Sequence, residues 1–295
     1  MKLDRANRVF AAFLGVCVAA LALIGAATCA LVAILSYRLQ HDGVGAIGGA
    51  DARWALAFLI VLGIGSLLAA LSLWRQVLAT HRLVRLVAAQ RLPVPRRLAA
   101  AAARAELSSR VDFVDSEERF SFTYSISPPR VAVSRGLYES VSERELDAVL
   151  EHERYHVDNN DPLKIALTRT LVPALPLLPA LRDLRAGYAA SRELAADRRA
   201  MKRHGRAALT GALAKAVAGP AAMDLEPAAA VGDSETLDAR LTQLKICTEP
   251  SVAHLRLVNL LLSVMGVGVM VALFAGSVAA FGGLGELARR VCGGA

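Results

Sequence analysis

Three long segments without a charged residue limit what this chain can fold into. They run from Val9 to Tyr37, from Trp54 to Trp74 and from Leu257 to Gly285. Each exceeds the roughly 20 apolar residues that a helix needs to cross a bilayer, and the mean hydropathy of the chain is +0.43. We therefore predict a multi-pass membrane protein with three transmembrane helices.

The basic residues around these segments predict the orientation. Three precede the first segment, namely Lys2, Arg5 and Arg8, and six follow the second, namely Arg75, Arg82, Arg85, Arg91, Arg96 and Arg97. The loop 38–53 carries two arginines and two aspartates. By the positive-inside rule, the N-terminus and the region from residue 75 onward are cytoplasmic. Arg289 and Arg290, after the third segment, fit this topology less well. A cleaved signal peptide is an alternative for the first segment, but its apolar run is much longer than the usual 7–15 residues.

Charge and cysteine content exclude several classes of protein. The formal net charge of +8 comes largely from residues next to the membrane, where anionic headgroups attract them. A lipid bilayer is thus the expected partner, and direct nucleic-acid binding is not. The four cysteines form no C-x-x-C pair, which argues against a disulfide framework or a cysteine metal site. A transporter is disfavoured because the three segments contain no ionisable pathway residues.

The chain divides into three predicted parts, which are an N-terminal helix pair at 1–74, a cytoplasmic domain at 75–250 and a C-terminal transmembrane helix with a short tail at 251–295. Strand-like alternation occurs at 111–114 and 120–126, and Pro128-Pro129 mark a turn before a strand at 130–133. We predict a mainly α membrane fold with a cytoplasmic α+β domain and a small antiparallel sheet. An exposed edge of that sheet can serve structure alone or hold a substrate peptide as an added strand.

The cytoplasmic domain contains the sequence His152-Glu153-Arg154-Tyr155-His156. Ser142 and Glu145 form a capping-box pattern that predicts a helix start upstream of it. On a helix, His152 and His156 lie on one face, where both imidazoles can bind one zinc ion. Glu153 lies where its carboxylate can take a proton from a water molecule at the metal. Such a motif also occurs by chance, with the histidines as an ordinary surface or core pair.

A second acidic motif follows 37 residues after His156, with Glu193 and Asp197 in a helical segment that ends near Gly205. We predict Glu193 as the third ligand of one zinc ion per chain. Asp197, one turn later, is predicted to accept the other ring N–H of a liganding histidine. The alternative is a solvated charged helix in which neighbouring arginines pair with both acids.

Residues 163–188 lie between the two motifs and contain three prolines in a Leu- and Ala-rich run. Both motifs must meet at one metal, so we predict a membrane-apposed hairpin, with a full fourth span as the alternative. The segment 219–234 is predicted to be a loop, either a linker or a lid. Tyr188 and His204 are candidates for stabilising an oxyanion, supported only by their proximity in sequence, and a surface role is the competing interpretation.

These motifs, together with Phe122-Thr123-Tyr124 and the run from Pro129 to Leu137, resemble the BlaR/MecR-type membrane metallopeptidases and, more distantly, the HtpX and CAAX-protease gluzincins. The resemblance covers roughly residues 75–210 and implies a gluzincin-like fold. It also implies that Asp161, like Asp197, supports the site. The known sensors carry a penicillin-binding domain after their last span, whereas ten residues follow the third segment here. We therefore expect a stand-alone peptidase.

The predicted function is a zinc metalloendopeptidase in the cell membrane that hydrolyses a cytoplasmic or membrane-associated protein. The resemblance implies a regulatory role of the repressor-cleavage type. The competing hypothesis is a non-enzymatic membrane signalling or scaffold protein that retains a zinc peptidase fold. Glu153 argues against it, because loss of this carboxylate would be a simple mark of an inactive enzyme.

Overall fold

The computed structural model describes residues 4–43, 52–218, 234–246, 250 and 255–280. The helices are α1 (Arg5–Asp42), α2 (Ala52–Ala89), α3 (Arg96–Arg104), α4 (Arg135–Ser140), α5 (Glu143–Asp158), α6 (Asp161–Ala174), α7 (Ala180–His204), α8 (Arg206–Val217), α9 (Ser234–Ile246) and α10 (Leu257–Ala280). The strands are β1 (Arg91–Leu92), β2 (Val111–Val114), β3 (Ser121–Tyr124) and β4 (Arg130–Ser134).

The chain forms two compact units. The first, here called the sheet unit, comprises residues 1–10, 72–169 and 184–254, and the second, the span unit, comprises residues 11–71, 170–183 and 255–295. Residues 4–10 thus group with the sheet, and the turn between α6 and α7 groups with the apolar helices. Neither assignment could be predicted from local sequence pattern, because both depend on contacts between residues far apart in the chain.

Among the described residues, three helices are long and apolar enough to cross a membrane, at Arg5–His41, Arg53–Ala89 and Leu257–Ala279. The prediction of three such helices is confirmed as far as helix length and composition are concerned. The second continues through the Arg-rich segment that the sequence analysis treated as the start of a separate domain. Nothing breaks the helix there, since the first prolines come at positions 93 and 95. Residues 281–285 of the third predicted segment and residues 219–233 of the predicted loop 219–234 lie outside the described residues.

The predicted hairpin consists of the helices α6 and α7 joined by a short turn. Within the span unit this turn approaches two helices closely. A Cβ atom at Gly65 would lie 2.5 Å from the carbonyl oxygen of Ala174, and one at Gly266 would overlap the carbonyl oxygen of Leu177. Only glycine leaves room for the backbone at these points. Whether the hairpin lies on or in a bilayer stays a prediction.

The sheet is mixed, with the strand order β1-β2-β4-β3. The prediction of an antiparallel sheet is wrong at one point, because β4 pairs in parallel with β2 while β3 pairs antiparallel with β4. The β3–β4 hairpin places β4 between β2 and β3. The strands β2 and β3, which follow each other in sequence, are therefore not neighbours in the sheet. Alternating residues predict strands but carry no information on strand order.

Both faces of the sheet are covered. On one face, Phe113 and Val133 pack with buried residues of α3, α5 and α8. On the other, Phe122 and Tyr124 pack against Leu83 of α2. The first contact holds α5 against the sheet and so decides which side of this helix is buried.

The motif helix α5 begins as predicted. The Ser142 hydroxyl accepts from the Glu145 amide at 3.4 Å, and the Ser142 amide donates to the Glu145 carboxylate at 2.6 Å. This capping box satisfies two backbone N–H groups that the first turn of a helix leaves without partners. It starts the helix ten residues before His152, which therefore lies well inside regular helix.

A buried carboxylate stabilises the sheet away from α5. Asp112 on β2 is 1% exposed. It accepts from the Arg130 guanidinium at 2.6 and 2.7 Å and from the Tyr124 hydroxyl at 2.6 Å, and Arg91 lies 2.7 Å away. Burial raises the pKa of Asp112, but these hydrogen bonds and charges outweigh burial and lower it.

Candidate metal centre

Two helices of the sheet unit bring the three predicted ligands together. His152 and His156 project from one face of α5, and Glu193 projects from α7. The His152 Nε2 atom lies 3.2 Å from His156 Nε2 and 3.4 Å from Glu193 Oε2, and His156 Nε2 lies 3.7 Å from Glu193 Oε1. One donor atom from each residue lies within 4.8 Å of the others. All three side chains are nearly buried.

Each histidine is contacted on its second ring nitrogen by a carboxylate. Asp197 Oδ1 lies 2.9 Å from His152 Nδ1, and Asp161 Oδ2 lies 2.7 Å from His156 Nδ1. Both aspartates are almost completely buried. Such contacts fix the tautomer, so that the Nε2 lone pairs of the two rings face the common point. The geometry therefore gives Asp161 and Asp197 matching positions, one behind each histidine.

Glu153 is held by the neighbouring strand. Its Oε1 atom accepts from the Ser121 hydroxyl at 2.8 Å, and its Oε2 atom accepts from the Thr123 hydroxyl at 2.8 Å. Ser121 and Thr123 are two residues apart on β3 and so point to the same face of the sheet. Glu153 is 3% exposed. These two bonds hold the carboxylate in one orientation beside His152.

Two arginines contact the carboxylates of the site. Arg240 of α9 donates to Asp197 at 2.7 and 2.9 Å and lies 3.7 Å from Glu193, and Arg192 lies 3.2 Å from Glu193. Burial raises the pKa of Glu193, but the charges of Arg192 and His156 outweigh it and hold this pKa well below its ordinary value. Glu193 is therefore a carboxylate over the whole neutral range.

His152 has the opposite shift. Burial lowers its pKa, but hydrogen bonds to Asp197 and Glu193 outweigh burial and raise the pKa to about 10. A raised pKa means that a proton is bound firmly at neutral pH. Protons and a metal ion would therefore compete for this side chain.

The residues present fit a zinc ion. Two imidazole nitrogens and one carboxylate oxygen are a ligand set that zinc takes in proteins, and three protein ligands leave a further position open, as in catalytic zinc sites. Charge agrees with this assignment. With neutral histidines, the four carboxylates of the site exceed its two guanidiniums by two negative charges, which a divalent cation would balance. The carboxylates are Glu153, Asp161, Glu193 and Asp197, and the guanidiniums are those of Arg192 and Arg240.

Neither Tyr188 nor His204, the two candidates for an oxyanion donor, has a side chain available at the candidate metal site. The Tyr188 hydroxyl donates to Asp161 Oδ1 at 2.8 Å, and the residue is 1% exposed. A surface role for Tyr188 is therefore wrong, and its proton is already used behind His156. His204 ends α7, eleven residues beyond Glu193, which corresponds to roughly 16 Å along a helix.

Sequence reasoning missed Arg240, Ser121 and Thr123. Arg240 lies 43 residues beyond Asp197, and no spacing rule connects the two positions. The β3 hydroxyls had a weak signal, because Ser121 and Thr123 occupy alternate positions of a recognisable strand. Their pairing with Glu153 depends on how β3 packs against α5, which the sequence does not show.

Residues 88–193 match the family model of peptidase family M48. The match begins at the end of α2, includes the whole sheet and α5, and ends at Glu193. It supports a membrane-associated metallopeptidase of a family that is zinc-dependent in general. The more specific resemblance to BlaR/MecR-type enzymes is not confirmed by it.

Proposed function

We propose that this chain is an integral-membrane zinc-dependent endopeptidase in which His152, His156 and Glu193 hold one zinc ion and Glu153 is the general base. The observation that carries the proposal is the Glu153 carboxylate, fixed by two hydroxyls next to three converging ligand atoms. A structural metal site needs no such base. The similarity of residues 88–193 to family M48 supports the same reaction class.

His152, His156 and Glu193 would hold the zinc ion, which would supply Lewis acidity toward a peptide carbonyl and toward a water molecule. Glu153 takes the proton of the attacking water and passes it to the leaving amine nitrogen. The β3 hydroxyls leave the carboxylate oxygens with lone pairs for this proton. Asp161 and Asp197 hold the histidine rings so that the ligand nitrogens stay in place during turnover.

The strand beside the base supports a proposal for the substrate class. Within the described sheet, β3 pairs on one side only, with β4. An extended peptide can add to such an edge through main-chain hydrogen bonds. It would then run beside the strand that holds Glu153. This supports an endopeptidase that binds an unfolded or extended segment of a protein.

The proposal includes a cytoplasmic active site, because basic residues precede the first uncharged segment and follow the second. Substrates would then be cytoplasmic or membrane-associated proteins. A regulatory role of the repressor-cleavage type is part of the proposal and rests on the resemblance to BlaR/MecR-type enzymes alone.

The test uses the full chain purified in detergent, with bound metal measured and a mixture of quenched random-sequence peptides as the substrate. We expect one zinc ion per chain and peptide cleavage. Glu153→Gln should keep the zinc and lose at least about 100-fold in rate, because an amide cannot act as a base. Unchanged activity in this variant would refute the role of Glu153. Zinc without cleavage by the wild type would instead favour the non-enzymatic scaffold.

A further inference from the structure

The N-terminal turn of the chain packs against the residues that support the metal site. Residues 4–10, here called the N-terminal turn, belong to the sheet unit together with α5 and most of α7. Asp4 lies directly before α1, and its Oδ1 atom accepts from the Asn7 amide at 2.8 Å, as a helix N-cap does. The other carboxylate oxygen is therefore left for a second partner.

That second partner is Tyr155, the residue before the ligand His156. The Tyr155 hydroxyl donates to Asp4 Oδ2 at 2.6 Å. Tyr155 is 6% exposed, and its ring lies 5.7 Å from the His156 ring in an edge-on arrangement. Asp4 thus joins the cap of α1 to a buried side chain next to the metal ligand.

A second contact reaches His156 by a different path. The Phe10 ring lies 5.2 Å from the Tyr188 ring. The Tyr188 hydroxyl donates to Asp161, whose other oxygen contacts His156 Nδ1. Ala6, which is 1% exposed, lies in the same cluster. The N-terminal turn therefore contacts both Tyr155, which adjoins His156, and Tyr188, which adjoins the partner of His156, Asp161.

Polar contacts fix the same turn to the end of the motif helix. Asn7 donates to the Asn159 side chain at 2.9 Å and accepts from Lys164 at 2.6 Å. Asn159 is the C-cap residue of α5. Arg5 donates to the carbonyl oxygen of Pro250 at 2.9 Å. These contacts hold the turn at the C-terminal end of α5, at Lys164 and at Pro250.

We propose that the N-terminal turn is a positioning element of the metal site, with Asp4 and Phe10 as positioning residues that hold Tyr155 and Tyr188 against His156 and its partner Asp161. The inference rests on the proposed function, since it concerns the same metal. It makes residues 4–10 part of the peptidase itself. Because α1 continues unbroken from this turn, the first apolar helix and a support of the metal site are parts of one helix.

The test is the rate at which zinc leaves the full-length chain in detergent, followed with an excess of a coloured chelator. Asp4→Asn keeps a good N-cap residue but replaces the acceptor of the Tyr155 hydroxyl, and Tyr155→Phe removes that hydroxyl. We expect about tenfold faster zinc loss in each variant. This is the lower end of the roughly 10- to 100-fold loss of metal affinity that follows mutation of residues behind a ligand. The double variant should equal the single ones, since both remove the same bond. Arg8→Gln, at an exposed position of the same turn, is the control and should match the wild type.

Effects of Asp4→Asn and Tyr155→Phe that simply multiply, or no change in either, would overturn the inference. If Asp4→Asn does not fold, Phe10→Ala and Tyr188→Phe provide a second double-mutant cycle. We expect the same non-additive effect on the rate of zinc loss in that cycle. If the wild type holds zinc and cleaves peptides but both double-mutant cycles are additive, only the positioning role is rejected. A wild type without zinc rejects the proposed function as well.

Discussion

The Thr123 hydroxyl on β3 should be worth about one to two orders of magnitude in rate. Thr123→Val keeps the shape of a buried side chain and removes the hydroxyl that donates to Glu153 Oε2 at 2.8 Å. A hydrogen bond to a charged group contributes about 1.5–3 kcal/mol, and each 1.4 kcal/mol corresponds to a factor of ten. If the orientation of the base depends on this bond, kcat should fall about 10- to 100-fold.

Ser121→Ala removes the other donor, at 2.8 Å from Oε1. Ser121 is only partly buried, so water can replace its hydroxyl, and we expect a loss of about threefold to tenfold. The double variant should lose more than the product of the two single effects, because the carboxylate is then free to rotate. Thr123→Ser is the matched control, because it retains the hydroxyl and should restore most of the rate.

The assay is steady-state cleavage of the best quenched peptide, with kcat and KM determined separately and zinc measured in every sample. We expect the loss in kcat, with KM and zinc content unchanged, because neither hydroxyl contacts a ligand atom. Thr123→Val with wild-type kcat would refute the view that β3 orients the base. Loss of zinc in this variant would show that the strand supports the metal instead.

Further outcomes follow from the ligands and from the buried carboxylate of the sheet. Glu193→Ala should abolish stoichiometric zinc, whereas Asp197→Ala should weaken zinc binding about 10- to 100-fold, as measured by competition with a chelator; full zinc content in Glu193→Ala would exclude it as a ligand. Asp112→Asn should destabilise the domain by about 3 kcal/mol at neutral pH, because it leaves Arg130 without its charged partner. The pKa of Asp112 is lower in the folded chain than its ordinary value near 4, so this stabilisation is complete above about pH 4 and is lost as the pH falls through the folded-state pKa. A difference in thermal unfolding temperature between wild type and Asp112→Asn that grows below pH 4 would contradict this assignment.

The predictions that depended on local sequence pattern agree with the structure, whereas the prediction of strand pairing, which depends on long-range arrangement, does not. The capping box at Ser142, the strands at 111–114 and 130–133, and the helix end at Gly205 all depend on neighbouring residues, and the structure has them. The parallel pairing of β2 with β4 depends on a chain reversal between them, and the antiparallel prediction failed there.

The candidate site divides in the same way. His152 and His156 share a helix face by spacing alone, so their convergence was predictable. Glu193 required the assumption that two motifs meet, and the geometry is compatible with it. Arg240 and Thr123 had no such link, because they approach the site from elements whose packing only the folded chain defines.

The sequence alone determined that the described part of this chain has three helices able to span a membrane and that a helix carries two histidines and a glutamate at the spacing of a zinc site. Those properties follow from hydropathy and from the 3.6-residue helical repeat, which are local. Only the tertiary structure decided which carboxylate lies behind each histidine, which strand holds Glu153, and that Asp4 reaches Tyr155 across 151 residues of chain. Such contacts depend on the packing of side chains from distant segments, and local sequence pattern does not encode that packing.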